Sequence, residues 1–168
     1  LQKAAGDGLF DATYLADRPN PEQAYVIATA VERETVRVYV AANEVPGLYY
    51  GLLTLGQLFD GLSNGKDVIL PHCQIVDWPD VPRRGTWVAF GGTYNQDRKA
   101  WVNACEERIR RFSEWKCNFI EVTMVRPQEV DENGNIVLQF SYPDEVVMMG
   151  DRYAVEVLPS ASHVSVHW

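Results

Sequence analysis

The sequence predicts an α+β domain, one sheet with helix cover, followed by the first β/α units of an incomplete (β/α)8 barrel. Three observations carry this. Val36, Val38 and Val40 alternate with Arg37 and Tyr39, the period-two signature of a strand with one buried face. Leu48, Leu52, Leu55, Leu58, Phe59 and Leu62 recur at three- and four-residue steps, as in a helix laid on a sheet. Beyond the joint Asp77-Trp-Pro-Asp-Val-Pro-Arg-Arg-Gly85 the rhythm becomes strand, helix, strand, which is the order of a parallel sheet built from crossover units.

Taken in order, residues 1–23 are polar and punctuated by Gly6, Gly8, Pro19 and Pro21, so a weakly structured lead-in is expected. Residues 24–82 form the first domain. Ala24–Thr29 and Thr35–Ala42 read as an antiparallel pair joined by Val31-Glu-Arg-Glu34, and Asn43 is the expected N-cap of the following helix. Gly61 and the Ser63-Asn-Gly65 turn end that helix, and Val68–Pro71 with Cys73–Val76 supplies one more strand.

Residues 83–168 form the second part. Thr86-Trp-Val-Ala-Phe90 is almost wholly apolar, as expected of a strand buried on both faces. A helix over about Asp97 to Trp115 carries Trp101, Cys105, Ile109 and Phe112 on one stripe, and Asn118–Thr123 is the next strand. Asp131-Glu-Asn-Gly134 is a turn, Ile136–Phe140 a short inserted strand, Pro143–Tyr153 a broken helix, and Ala154–Leu158 a third core strand.

Composition narrows the partners. A chain of 168 residues with 46% hydrophobic and 23% charged residues is an ordinary globular one, able to build a core without staples. The net charge of −8 excludes a nucleic-acid or anionic-membrane surface, since both need clustered cations. Arg108-Ile-Arg-Arg111 sits among Glu106, Glu107 and Glu114, which marks a solvated helix face. Cys73, Cys105 and Cys117 have neither metal nor disulfide-framework spacing, so buried free thiols are expected and no cofactor is implied. No apolar run reaches bilayer length. Leu1-Gln-Lys-Ala-Ala5 carries neither an initiator Met nor a signal peptide, so the expectation is a segment of a longer chain, with its native targeting left open.

Pro46-Gly-Leu-Tyr-Tyr-Gly-Leu-Leu-Thr-Leu-Gly-Gln-Leu58, followed by Ile75-Val-Asp-Trp-Pro-Asp80 and Arg84-Gly85, resembles the N-terminal region of family 20 glycoside hydrolases, the β-N-acetylhexosaminidases. Family 84 β-N-acetylglucosaminidases and family 67 α-glucuronidases share a similar module. The resemblance covers Ala24–Gly85 in motif and Thr86–Trp168 in layout. It implies a small α/β domain joined to a (β/α)8 barrel, with carbohydrate as the partner and a secreted or periplasmic parent. Where the family continues into a strand bearing an Asp and an Arg-His pair, this chain has Thr86-Trp-Val-Ala-Phe-Gly-Gly92.

The resemblance also implies a substrate-assisted hydrolysis, in which the acetamido oxygen attacks the anomeric carbon and a Glu protonates the leaving oxygen. That acidic pair belongs to a fourth barrel strand. Only 84 residues follow Arg84, against the ~250 of a complete barrel, so no catalytic residue is expected here. Arg84 matches the family arginine that binds sugar hydroxyls through its planar donor fork. The plainer reading, favoured for this chain, is an interdomain salt bridge to Asp77 or Asp80.

Trp87 and Trp101 are candidates for stacking on a sugar face, although strand and helix tryptophans are more often core. Glu121, mid-strand between Ile120 and Val122, needs a partner and would suit a ligand hydroxyl. His163 and His167 have helical metal-ligand spacing in a segment that does not read as a helix.

The leading expectation is thus an N-terminal fragment of an N-acetylhexosaminide hydrolase, inactive alone, with Arg84, Glu121 and Trp87 as substrate-binding candidates and no metal. The alternatives are a non-catalytic carbohydrate-binding or scaffold domain, a uronic-acid glycosidase fragment, and a free-standing α/β protein. Unpaired barrel strands would further expose backbone and apolar surface, an invitation to self-association.

Overall fold

The structure, a computed structural model, describes residues 13–88, 97–123, 125–140 and 144–160. It is α+β, in two compact units, Leu1–Pro82 and Arg83–Trp168. No helix among the described residues is long and apolar enough to cross a membrane.

In the first unit, β1 (Tyr25–Glu32) pairs antiparallel with β2 (Thr35–Ala42) and with β3 (Gln74–Asp77), in the order β2-β1-β3. The β1–β2 loop is two residues, Arg33 and Glu34, with Arg33 at φ 57°. Positive φ is what gives such short loops the twist of the strands they join. The third strand is shorter than the sequence suggested. Only Gln74–Asp77 joins the ladder: the Cys73 amide donates to the Thr29 hydroxyl at 2.8 Å instead of to a backbone carbonyl, and Val68 makes a single bridge to Ser63.

Within the segment expected as a lead-in, α1 (Thr13–Ala16) is a single helical turn. Its Leu15 is buried with Ala24, Val26 and Ala41 on one face of the sheet, where Val76 and Trp78 also pack. The Arg18 guanidinium lies 3.5 Å above the Tyr14 ring and 4.5 Å from that of Trp78, a cation–π stack.

Helix α2 (Val45–Leu62) covers the opposite face. Its N-cap is Glu44 rather than Asn43, with no side-chain cap bond, and proline stands in its first turn. The residues that meet the sheet are not the leucine stripe. Gly47, Tyr50 and Gly51 are buried, whereas Leu52 is 53% exposed and Leu48 is exposed as well. A Cβ on Gly47 would lie 2.3 Å from the Ala24 carbonyl oxygen, so the helix comes closer to β1 than any side chain allows. Leu55 and Leu58 flank this contact and pack with Tyr25, Ile27 and Tyr50.

One polar group crosses that core. The Tyr25 hydroxyl donates to Asp77 at 2.5 Å and lies 2.6 Å from the Thr54 hydroxyl. Asn20 donates to the Pro79 carbonyl at 2.8 Å and buried Gln23 to that of Pro82 at 3.0 Å. The Asp77–Pro82 segment is therefore tied down by side chains from the turn before β1.

In the second unit, β4 (Gly85–Val88), β5 (Phe119–Thr123) and β8 (Glu156–Ser160) form a parallel sheet in the order β4-β5-β8. Helices α3 (Arg98–Glu114) and α4 (Asp144–Arg152) connect them, as parallel strands require. The α3 bounds match the sequence pattern. Asp97 accepts from the Ala100 amide at 2.9 Å, capping the helix, and Cys105 and Ile109 bury its stripe against Ile120, Val122 and Val146. Residues 144–152 are one continuous helix, not a broken one.

Between β5 and α4 runs an antiparallel ribbon, β6 (Val125–Val130) and β7 (Ile136–Phe140), closed by Asp131–Asn135, with a register shift between Pro127 and Glu129. Asp131 accepts from the Asn133 and Asn135 amides and the Asn135 side chain, and Gly134 takes φ 82°.

Candidate functional site

A parallel sheet offers two faces, and the strand period decides which residue joins which. Val88, Ile120, Val122 and Val157 face α3 and α4. The other face carries the row Gly85–Phe119–Glu156 and, further along, the row Trp87–Glu121–Leu158, in which neighbours are direct pairing partners. Two of the sequence candidates, Trp87 and Glu121, are thus cross-strand neighbours on one face. Trp87 is 44% exposed and Glu121 half-buried. The expectation that Thr86–Phe90 is buried on both faces does not hold for Thr86 and Trp87, and Ala89 and Phe90 lie outside the described residues. Of the other tryptophan, the core reading is right: Trp101 is 6% exposed and packs with the α3 stripe.

Arg84 is not with them. It falls one residue before β4 and out of phase with Trp87, and its Nε donates to the Lys116 carbonyl at 3.0 Å. Its amide donates to the Asn118 side chain at 2.7 Å, and its carbonyl accepts from the Asn118 and Phe119 amides. The target is the end of α3, which closes with Lys116 at φ 58° and bonds from Lys116 to Ser113 and from Cys117 to Phe112. This is a Schellman ending, and a guanidinium there also complements the helix dipole. Arg84 therefore fastens β4 to the α3–β5 turn inside its own unit, while Asp77 accepts the Tyr25 hydroxyl inside the other.

The arginine in phase with Trp87 is Arg83, which sequence reasoning passed over. Its guanidinium lies 5.2 Å from the Phe119 ring centroid and pairs with Glu156 at 2.6 Å, both on the face turned away from α3 and α4. The signal was available: counting back in twos from Trp87 reaches Gly85 and then Arg83. Gly85 itself has no alternative, because a Cβ there would lie 1.9 Å from the Phe119 carbonyl oxygen. The face thus presents two aromatic rings, Trp87 and Phe119, two carboxylates, Glu121 and the Arg83-paired Glu156, and the aliphatic Leu158, a combination suited to polar ligands with apolar C–H surfaces.

The remaining candidates are structural. Glu106 is not a free surface charge: it pairs with Arg152 at 2.9 Å and accepts from the Tyr153 hydroxyl at 3.0 Å, joining α3 to α4. Burial, then the neighbouring Glu106, pushes that hydroxyl up in pKa. Glu107 pairs with Arg111 and Glu114 with Arg110 along the helix surface. The three cysteines are free. Burial pushes the Cys105 thiol up to about 12 and raises that of Cys117, where Arg84 opposes it. No metal-ligating cluster occurs among the described residues, and His163 and His167 lie outside them.

No protein-family model matches this chain, and no curated protein sequence matches it. Solved structures do. A family 20 β-N-acetylglucosaminidase is similar over 93% of this chain and 36% of its own, at 18% identity and a TM-score of 0.58. The β-N-acetylhexosaminidase of Bacteroides fragilis is similar over 83% of this chain and 30% of its own, at 22% identity and a TM-score of 0.59. The N-acetyl-β-hexosaminidase of Streptomyces plicatus, solved with Thio-NAglucal, covers 84% and 32%, at 18% identity and 0.58. The chain spans about a third of the length of these proteins. At this level of identity the likeness concerns the fold, and the fold of this chain is that of a part of the family 20 glycoside hydrolases.

Proposed function

We propose that this chain is the N-terminal part of a glycoside hydrolase acting on N-acetylhexosaminides. Residues 24–82 are its helix-covered accessory domain, and residues 83–168 are the first three strands of its (β/α)8 barrel. The observation that carries this reading is the likeness to family 20 enzymes over 83–93% of the chain, with both units included. The parallel β4-β5-β8 order, with one helix per crossover, supports the barrel assignment.

In this reading the face bearing Trp87 and Glu121 turns toward the barrel interior. The Trp87 ring offers a surface for the C–H face of a pyranose, and the Glu121 carboxylate accepts from sugar hydroxyls. Arg84 contributes by holding the start of β4 in register. Proton transfer to the leaving oxygen falls to carboxylates of a later strand.

The purified chain should not hydrolyse a chromogenic N-acetylglucosaminide above background. N-acetylglucosamine should shift the Trp87 indole and Glu121 carboxyl resonances more than glucuronate does. Turnover abolished by a substitution within residues 1–168 would overturn the division of labour. Shifts confined to other residues would refute the assigned site.

A further inference from the structure

Two asparagines precede a glycine, Asn64-Gly65 and Asn133-Gly134, and both stand exposed in a turn with the glycine at positive φ, 86° and 82°. Such a pair is chemically labile. The glycine amide nitrogen gives up its proton to a solvent base and attacks the asparagine Cγ. The Cγ–Nδ2 bond breaks, the nitrogen leaves as ammonia with a proton from water, and a five-membered succinimide closes. Water then opens the ring, at Cγ to leave aspartate or at the main-chain carbonyl carbon to leave isoaspartate. Glycine matters because no Cβ shields the attacking nitrogen, and at both positions the space a Cβ would take is open.

The folded chain treats the two differently. The Asn64 carboxamide oxygen accepts from the Lys66 amide at 3.0 Å and from the Asp67 amide at 2.9 Å, which fixes its Cγ. Both bonds must break before that carbon can swing onto the Gly65 nitrogen. Asn133 is held by its main chain: its amide donates to the Asp131 carboxylate at 2.9 Å, and its carboxamide has no hydrogen bond among the described residues. The attacking amides are matched, since that of Gly65 donates to the Ser63 hydroxyl at 3.1 Å and that of Gly134 to the Asp131 carbonyl at 2.9 Å. The loop with Asn133 closes a two-stranded sheet, β6-β7, and an antiparallel pair without a third strand opens readily.

We propose that Asn133 is a site of spontaneous modification, converted through a succinimide to aspartate and isoaspartate, while the fold protects Asn64. Each neutral hydrogen bond that must break slows the attack about fivefold, so two of them set Asn64 about twenty-fivefold behind Asn133. The product places a further carboxylate beside Asp131 and Glu132. Isoaspartate also adds a methylene to the main chain of the turn, so the closed end of the ribbon changes in both charge and length.

Ageing the full chain at mildly alkaline pH, with peptide mapping by mass spectrometry that separates isoaspartate from aspartate, tests it. Asn133 should convert about twenty-fivefold faster than Asn64 in the folded chain, and the two rates should come together in urea, where the bonds to the Asn64 carboxamide are gone. Asp131→Ala releases the Asn133 amide and should quicken conversion at 133 about fivefold, with the rate at 64 unchanged. Far-UV circular dichroism confirms folding; if Asp131→Ala disturbs the second unit, the comparison of folded and urea-treated wild-type chain decides alone. Equal rates in the folded chain, or faster conversion at Asn64, overturn the proposal. So does a folded chain in which Asn133 stays intact while the urea-treated chain converts, and so does a ratio that urea leaves unchanged, which would assign the difference to neighbouring sequence and not to the fold.

Discussion

Replacing Tyr25 by Phe keeps the ring and removes one oxygen from the core of the first unit. Tyr25 is 2% exposed, so the change leaves no cavity beyond that oxygen and no new path for water. The hydroxyl bonds to the Asp77 carboxylate at 2.5 Å and lies 2.6 Å from the Thr54 hydroxyl. A hydrogen bond to a charged acceptor is worth about 1.5–3 kcal/mol and a neutral one about 0.5–1.5 kcal/mol. Thr54 can turn toward the carboxylate and recover part of this, so the expected loss is about 2–3 kcal/mol. That is a large share of the roughly 5–15 kcal/mol that holds a domain together.

Because the chain comprises two units, a single transition cannot be assumed. Amide exchange of β1 and β3, measured against that of β5, isolates the effect. Protection should fall in the first set and stay in the second. A double-mutant cycle with Asp77→Asn should show coupling above about 1 kcal/mol. Loss of under about 0.5 kcal/mol, or no coupling, would refute the view that this pair fixes the segment leading to Pro82.

Gly85→Ala forces a methyl against the Phe119 carbonyl, and overpacking of this kind costs about 1–3 kcal/mol or more; urea unfolding followed by α3 and α4 signals checks it. Arg33→Gly relieves the φ 57° loop residue and should raise stability by up to about 1 kcal/mol in thermal unfolding, since L-residues pay about that much in this conformation. Cys105 should resist thiol reagents in the folded chain and react on unfolding. Its folded pKa of about 12 lies above the ordinary 9.0, so its contribution is whole below pH 9.0 and lost between 9.0 and about 12 as only the unfolded thiol ionises; the Cys105→Ala variant should show a flatter decline there.

What the sequence disclosed followed from side-chain pattern, and what it hid followed from backbone. Helix α3 was legible at both ends, because Asp97 caps it and its stripe has one face. Helix α2 was legible as a helix but not in its orientation. Hydrophobic periodicity counts leucines, whereas the face that meets β1 is chosen by Gly47 and Gly51, which add nothing to an apolar count. Strand β6 was missed because Val125-Arg-Pro-Gln-Glu-Val130 does not alternate, and the register shift between Pro127 and Glu129 breaks the period further. For the site, residue type pointed to Arg84, while strand phase separates it from Trp87 and Glu121 and brings Arg83 to their face.

The β6–β7 ribbon begins and ends on a matched pair, Val125 and Phe140. Opposed residues of an antiparallel pair stay about 5 Å apart whatever the length of the ribbon beyond them. The chain leaves β5 and reaches α4 across that fixed gap, so pairs can be added or deleted at the tip without the crossover unit registering the change. A drifting gene could therefore lengthen, shorten or re-clothe this ribbon while the parallel sheet beneath stays as it is. The same property makes Asp131–Asn135 the natural place to graft a foreign peptide or a fluorescent domain onto this molecule.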